Sequence, residues 1–141
     1  MNILLVEDDY LLGRSMVRLL EGSSQHQVRL THKAVDIFRY CEAGSIELVL
    51  MDVDLPGTFW RGKEVTGVEL SCLLKSNSAT WHLPIVLLVA NAVEADQTRL
   101  IRDALADLVC TKPIKDADVF LSSIVSVVDR VGACSPRVLA S

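Results

Sequence analysis

The chain has 141 residues, half of them hydrophobic, with 18 acidic against 14 basic side chains and a formal net charge of −4. That length suits one domain with a sizeable core and excludes two full ones. The longest apolar run, Ile85 to Ala90, falls far short of the roughly 18 uninterrupted apolar residues that a membrane span needs. No Lys/Arg cluster offers a nucleic-acid footprint. With no basic leader ahead of the first apolar run, the expected location is cytoplasmic. Cys41, Cys72, Cys110 and Cys134 show neither CxxC spacing nor a histidine at ligand spacing. Four reduced thiols are therefore expected, rather than zinc ligands or disulfides.

In chain order, the first apolar run is Ile3-Leu4-Leu5-Val6, a strand that closes on Glu7-Asp8-Asp9. Leu12, Met16, Leu19 and Leu20 form a helical stripe, ended by Gly22 and Ser23. Gln27 to Leu30 is a weaker strand, and Ala34 to Cys41 a helix carrying Val35, Phe38 and Cys41 at helical spacing. Leu48-Val49-Leu50-Met51 is a strand closing on Asp52-Val53-Asp54. After the Pro56-Gly57 turn, Thr58 to Thr66 holds Phe59, Trp60, Arg61 and Lys63 in a loop longer than the architecture requires. Leu70, Leu73 and Leu74 mark a third helix, which runs out near Asn77, and Ile85 to Val89 is the next strand. Ala92 to Ala104 is a fourth helix, and Leu108-Val109-Cys110 a strand closing on Thr111-Lys112-Pro113. Asp116 to Val131 is a fifth helix with Asp116 as its cap.

These elements place the domain at residues 1–131, with residues 132–141, around Pro136, as a flexible small-residue tail. Continuous rather than alternating apolarity implies strands covered on both faces, as in a parallel sheet. Strand and helix alternate five times, which predicts a doubly wound α/β domain: a five-stranded parallel sheet flanked by five helices.

In an open parallel sheet, ligands bind outside the carboxyl ends of the strands. With the flavodoxin-like strand order 2-1-3-4-5, the acids after the first and third strands meet the lysine after the fifth. Packed carboxylates resist joint ionisation unless a cation is present, and a hard oxygen site with open positions suits Mg²⁺. A metal and an ammonium together clamp a phosphoryl group, and one carboxylate can serve as its nucleophile. Taken singly the motifs say less. Glu7-Asp8-Asp9 could simply cap the first helix, Asp52 could be a loop residue, and Lys112-Pro113 means little alone.

Together, Ile3-Leu4-Leu5-Val6-Glu7-Asp8-Asp9, Leu50-Met51-Asp52-Val53-Asp54-Leu55-Pro56-Gly57 and Thr111-Lys112-Pro113-Ile114 resemble the receiver domains of two-component response regulators. The resemblance covers about residues 2 to 131. It implies that Asp52 is the phosphoacceptor, with Asp8 a direct Mg²⁺ ligand and Glu7 acting through water. It implies a further metal contact from the Val53 carbonyl, phosphoryl pairing by Lys112 and a cis Lys112-Pro113 bond. Asp9 then reads as an extra acid or the cap of the first helix.

Two positions depart from the family. The fourth strand usually ends in Ser or Thr, where this chain has Val89. Three residues before the lysine, Tyr or Phe is usual, and this chain has Val109. Conservative core substitution is one reading of the pair; the other is that the hydroxyl–aromatic switch is absent or rewired, with Asn91 or Thr111 as substitute donors. Phe59 and Trp60 could form a docking surface or lid, or fold back on the domain. The last helix is apolar around much of its circumference, from Val119 and Phe120 to Val131, which leaves an exposed patch. The resemblance makes this helix, with the fourth, a homodimer face.

The resemblance implies a switch phosphorylated by a histidine kinase or phosphotransfer protein, signalling by protein contact, and not an enzyme acting on a metabolite. Nucleic acid and membrane contacts are not expected. An alternative is a phosphorylation-independent interaction module on the same fold. A third is a Mg²⁺-dependent phosphohydrolase, with Asp54 two residues beyond its nucleophile.

Overall fold

The computed structural model describes residues 1–22, 25–90 and 94–133. The five apolar runs pair as β1 (Asn2–Val6), β2 (Gln27–Thr31), β3 (Leu48–Asp52), β6 (Ile85–Val89) and β7 (Leu108–Thr111). All neighbours are parallel, in the order β2-β1-β3-β6-β7. Counting only these strands, that is the expected 2-1-3-4-5 order.

Parallel strands need crossovers, and the helical segments supply them. Alternate side chains of the sheet face opposite layers. Ile3, Leu5, Leu48, Leu50, Val86 and Leu88 pack under α1 (Tyr10–Glu21) and α5 (Ala117–Ala133), against Met16, Leu20, Phe120 and Ile124. Leu4, Val6, Val49, Met51, Ile85 and Leu87 face α2 (Ala34–Glu42), α3 (Gly67–Lys75) and α4 (Glu94–Ala104). Each such side chain contributes roughly 1.5–3 kcal/mol on burial. Two-sided burial is why β1, β3 and β6 read as unbroken apolar runs. Strand β7, at the sheet edge, is only half-buried.

Helix ends are fixed locally. Asp9 caps α1 by accepting from the Leu12 N–H at 3.1 Å. Thr66 and Glu69 form a reciprocal capping box at α3. Asp116 caps α5, accepting from Asp118 and Val119 N–H at 3.0 and 3.1 Å. Helix α4 closes through Ala106 N–H to the Ile101 carbonyl and Leu105 N–H to the Arg102 carbonyl, a Schellman pattern.

Several expectations are corrected. Val35 is 63 % exposed; the buried face of α2 is Ala34, Ile37, Phe38 and Cys41, because the 3.6-residue period carries position 35 to the solvent side. The Thr58–Thr66 segment is not a plain loop. It holds an antiparallel hairpin of β4 (Phe59–Trp60) and β5 (Lys63–Glu64), turning on Arg61 and Gly62, both with positive φ, the demand of a type I′ turn. Trp60 folds back onto Phe38 with ring centroids 4.3 Å apart, whereas Phe59 is 56 % exposed. Helix α5 continues to Ala133, past the expected end at 131. Its ring of apolar residues is mostly consumed by the core: Phe120, Ile124 and Val127 are buried and Leu121 and Val128 pack beside them, which leaves Val119 and Val125 exposed. The expected start of the fourth helix at Ala92, and Ser23, Asn91, Cys134 and Pro136, lie outside the described residues. Cys41, Cys72 and Cys110 are free thiols. Among the described residues no helix is long and apolar enough to cross a membrane.

Candidate functional site

Register brings the site together. Val6 lies opposite Met51, Asp52 opposite Leu88, and Val89 opposite Thr111. The residues leaving β1, β3 and β7 therefore share one sheet edge. There the Lys112 ammonium donates to Glu7 Oε1 at 2.9 Å and stands 3.2 Å from Asp52 Oδ2. Asp52 Oδ1 accepts from the Asp54 N–H at 3.2 Å. One carboxylate oxygen from each of Glu7, Asp8 and Asp52 lies within 4.8 Å of the others. The Lys112–Pro113 bond is cis.

Charge in this cluster does not balance on its own. At such separations two carboxylates repel by roughly 3–4 kcal/mol at an effective dielectric near 20. Burial, then a hydrogen bond with Asp52, pushes the Glu7 carboxyl up to about 7, against the opposing pull of Lys112. Burial alone would lower Lys112; the hydrogen bond to Glu7 and the negative charge of Asp52 and Glu7 outweigh it and hold the ammonium above its usual range. Three convergent hard-oxygen donors with one ammonium suit a divalent cation. Glu7, Asp8 and Asp52 are the side chains that could hold it. The Val53 carbonyl already accepts from the Gly67 N–H at 3.0 Å, so one of its two lone pairs is committed to the start of α3.

That contact exposes a positioning residue which the sequence reading did not single out. A Cβ on Gly67 would fall 1.9 Å from the Asp52 carbonyl oxygen and 2.9 Å from Val53 Cα. Only glycine lets α3 begin this close to the end of β3. In sequence, Gly67 looks like any turn glycine.

A cavity of about 660 Å³ opens above the carboxylates. Glu7, Asp8, Asp9, Asp52, Val53, Asp54, Val89 and Lys112 line it, together with Asp96, Arg99 and Leu100 of α4. Val89 is buried and offers no polar side-chain atom. Val109 is outside this lining and packs, half-buried, against the core under α2, α3 and α4. Thr111 is exposed and is also outside the lining. The α4 residues were missed because nothing in the sequence fixes how that helix is turned toward the site.

Known proteins resemble the chain in sequence and shape. The polar-differentiation response regulator DivK of Brucella ovis is 28% identical over 113 residues, covering 80% of this chain and 85% of DivK. A CheY-like response regulator receiver domain protein from Methanospirillum hungatei superposes with a TM-score of 0.75 at 21% identity, covering 95% and 98% of the two chains. A sensor protein from Polaromonas superposes with a TM-score of 0.76 at 25% identity, covering 92% and 97%. Residues 3–123 match the response regulator receiver domain, and the chain belongs to that family.

Proposed function

We propose that this receiver domain accepts a phosphoryl group on Asp52 from a histidine kinase or phosphotransfer protein and signals by protein contact. The observation that carries the reading is the Lys112 ammonium set between Glu7 and Asp52, at 2.9 and 3.2 Å, where β1, β3 and β7 end. An Asp52 carboxylate oxygen attacks phosphorus, and the donor's phosphorus–nitrogen bond breaks with its electron pair leaving on the imidazole. Lys112 compensates charge on the phosphoryl oxygens, and the Asp54 N–H fixes the rotation of the Asp52 carboxylate. We assign Mg²⁺ to Glu7, Asp8 and Asp52, where it supplies positive charge against the phosphoryl oxygens when bound. Tyr10 and Leu11, exposed next to Asp9 at the start of α1, offer a phosphodonor apolar surface on that helix. A second copy would find less on α5, where Val119 and Val125 stand among Ser122, Ser126, Asp118 and Asp129.

Incubation with Mg²⁺ and acetyl phosphate, read by intact mass, tests the assignment. A single phosphoryl adduct is expected on the wild type and none on Asp52→Asn. An adduct that survives Asp52→Asn defeats it.

Buried Val89 supports a second reading, a phosphorylation-independent interaction module. A hydrogen bond to a charged group is worth roughly 1.5–3 kcal/mol, so its loss at Val89 weakens any response of β6 by about one to two decades. Amide exchange over residues 88–112, before and after phosphorylation, separates the two. A larger response in Val89→Thr than in the wild type is expected if the strand-end hydroxyl is the missing part.

A further inference from the structure

Strand β6 brings Val89 to the cavity with no donor to offer a phosphoryl oxygen. The facing wall is α4. Asp96 and Arg99 lie three residues apart and so share one helix face, and both line the cavity that holds Asp52 and Lys112. The lining carries the carboxylates of Glu7, Asp8, Asp9, Asp52, Asp54 and Asp96 against two cations, Lys112 and Arg99. Lys112 is already engaged by Glu7 and Asp52. Arg99 is exposed and forms no ion pair with a described carboxylate.

We propose that Arg99 is the second cation of this site: its guanidinium binds the oxygens of the phosphoryl group on Asp52 and so couples α4 to occupancy. The inference rests on Asp52 being the phosphoacceptor. A guanidinium presents paired N–H donors in a rigid plane that matches two phosphate oxygens, which an ammonium cannot do. Before phosphorylation, Arg99 faces diffuse negative charge spread over several carboxylates. The phosphoryl group concentrates acceptor oxygens at one point, drawing in Arg99 while repelling Asp96 on the same helix. Both effects act on α4, which packs on α3 and β7. The helix thereby reports occupancy without a hydroxyl at the end of β6.

The test titrates metal-loaded protein with fluoroberyllate, a stable phosphoryl stand-in, using wild type, Arg99→Ala, Arg99→Lys and Asp52→Asn, each matched for fold by circular dichroism. Arg99→Ala is expected to weaken fluoroberyllate binding roughly 10- to 100-fold, the range for a hydrogen bond to a charged group. It should also abolish the amide-exchange protection that the wild type gains over residues 94–104. Arg99→Lys is expected to recover part of the affinity but less of the protection. Binding that requires Asp52 yet is equal in wild type and Arg99→Ala, with the same protection of α4, overturns this proposal alone. Absence of binding to the wild type, or binding indifferent to Asp52→Asn, overturns the phosphoacceptor reading and this one with it.

Discussion

At the scale of single residues, burial decides which groups carry chemistry and which stay silent. Cys41 sits in the core under α2, and burial pushes its thiol up to about 12. The folded state therefore holds this proton more tightly than the unfolded chain, where a thiol titrates near its ordinary value of 9.0. The stability this gives is fully present below pH 9 and is lost as pH rises from 9 toward 12, by about 1.4 kcal/mol per pH unit for one thiol. Urea unfolding between pH 8 and 10.5 should show that decline, with a shallower slope in Cys41→Ala. An unchanged slope would place the alkaline loss elsewhere. Cys41 should also resist iodoacetamide until the protein unfolds.

Gly67, unlike Cys41, is a residue on which the site depends. Its missing side chain is occupied by the Asp52 backbone, and the obstacle is carbonyl oxygen rather than a flexible side chain. Gly67→Ala should cost about 3 kcal/mol, at the upper end of ordinary overpacking, and lower the yield of phosphoryl adduct by displacing the end of β3. A urea midpoint equal to wild type would show that α3 can shift without disturbing β3.

Among the elements, the local signals that were legible and those that were not differ in kind. Asp9 and Asp116 as caps, and the apolar runs as strands, follow from short-range chemistry. The hairpin after β3 did not show itself because its turn is Arg61-Gly62 rather than Asn-Gly or Asp-Gly, and two-residue strands leave no periodicity. Arg61 stacks over Trp60 at 5.4 Å from the ring centroid, a cation–π contact that offsets part of its left-handed backbone cost. Leu105 has no such compensation. It closes α4 at φ 57 and is 50 % exposed, so its side chain gains little from burial while its Cβ strains the left-handed conformation. Leu105→Gly should therefore stabilise the domain by about 1 kcal/mol, read as a higher urea midpoint. A lower midpoint would mean that Leu105 contributes more by packing than its exposure suggests.

For the whole molecule, the sheet order turns three separated motifs into one charged cluster. Glu7 and Lys112 are 105 positions apart in sequence and 2.9 Å apart in space. A cluster with more acid than base is destabilising in itself, so under the proposed Mg²⁺ assignment folding and metal binding are linked. Mg²⁺ at ten times its dissociation constant should stabilise the wild type by about 1.4 kcal/mol. That increment should shrink in Asp8→Asn and vanish when Asp8 and Asp52 are both replaced by Asn. Thermal melts with Mg²⁺ against EDTA would show it, and an equal shift in the double variant would place the cation at another site.

The sequence by itself determined the five strands, the five helices, their parallel arrangement and the identities of Glu7, Asp8, Asp52 and Lys112. The elements depend on hydrophobic periodicity, which is local, and the four residues on the resemblance of the strand-end motifs to receiver domains. Tertiary structure alone decided what depends on rotation and close approach. It showed that Val35 points outward, that most of the apolar ring on α5 is spent on the core, and that Gly67 must be glycine. It also brought Arg99 of α4 into the lining of the cavity that holds Asp52. A helix's rotation about its axis is set by the neighbours it packs against, and a missing Cβ matters only where another backbone fills the space.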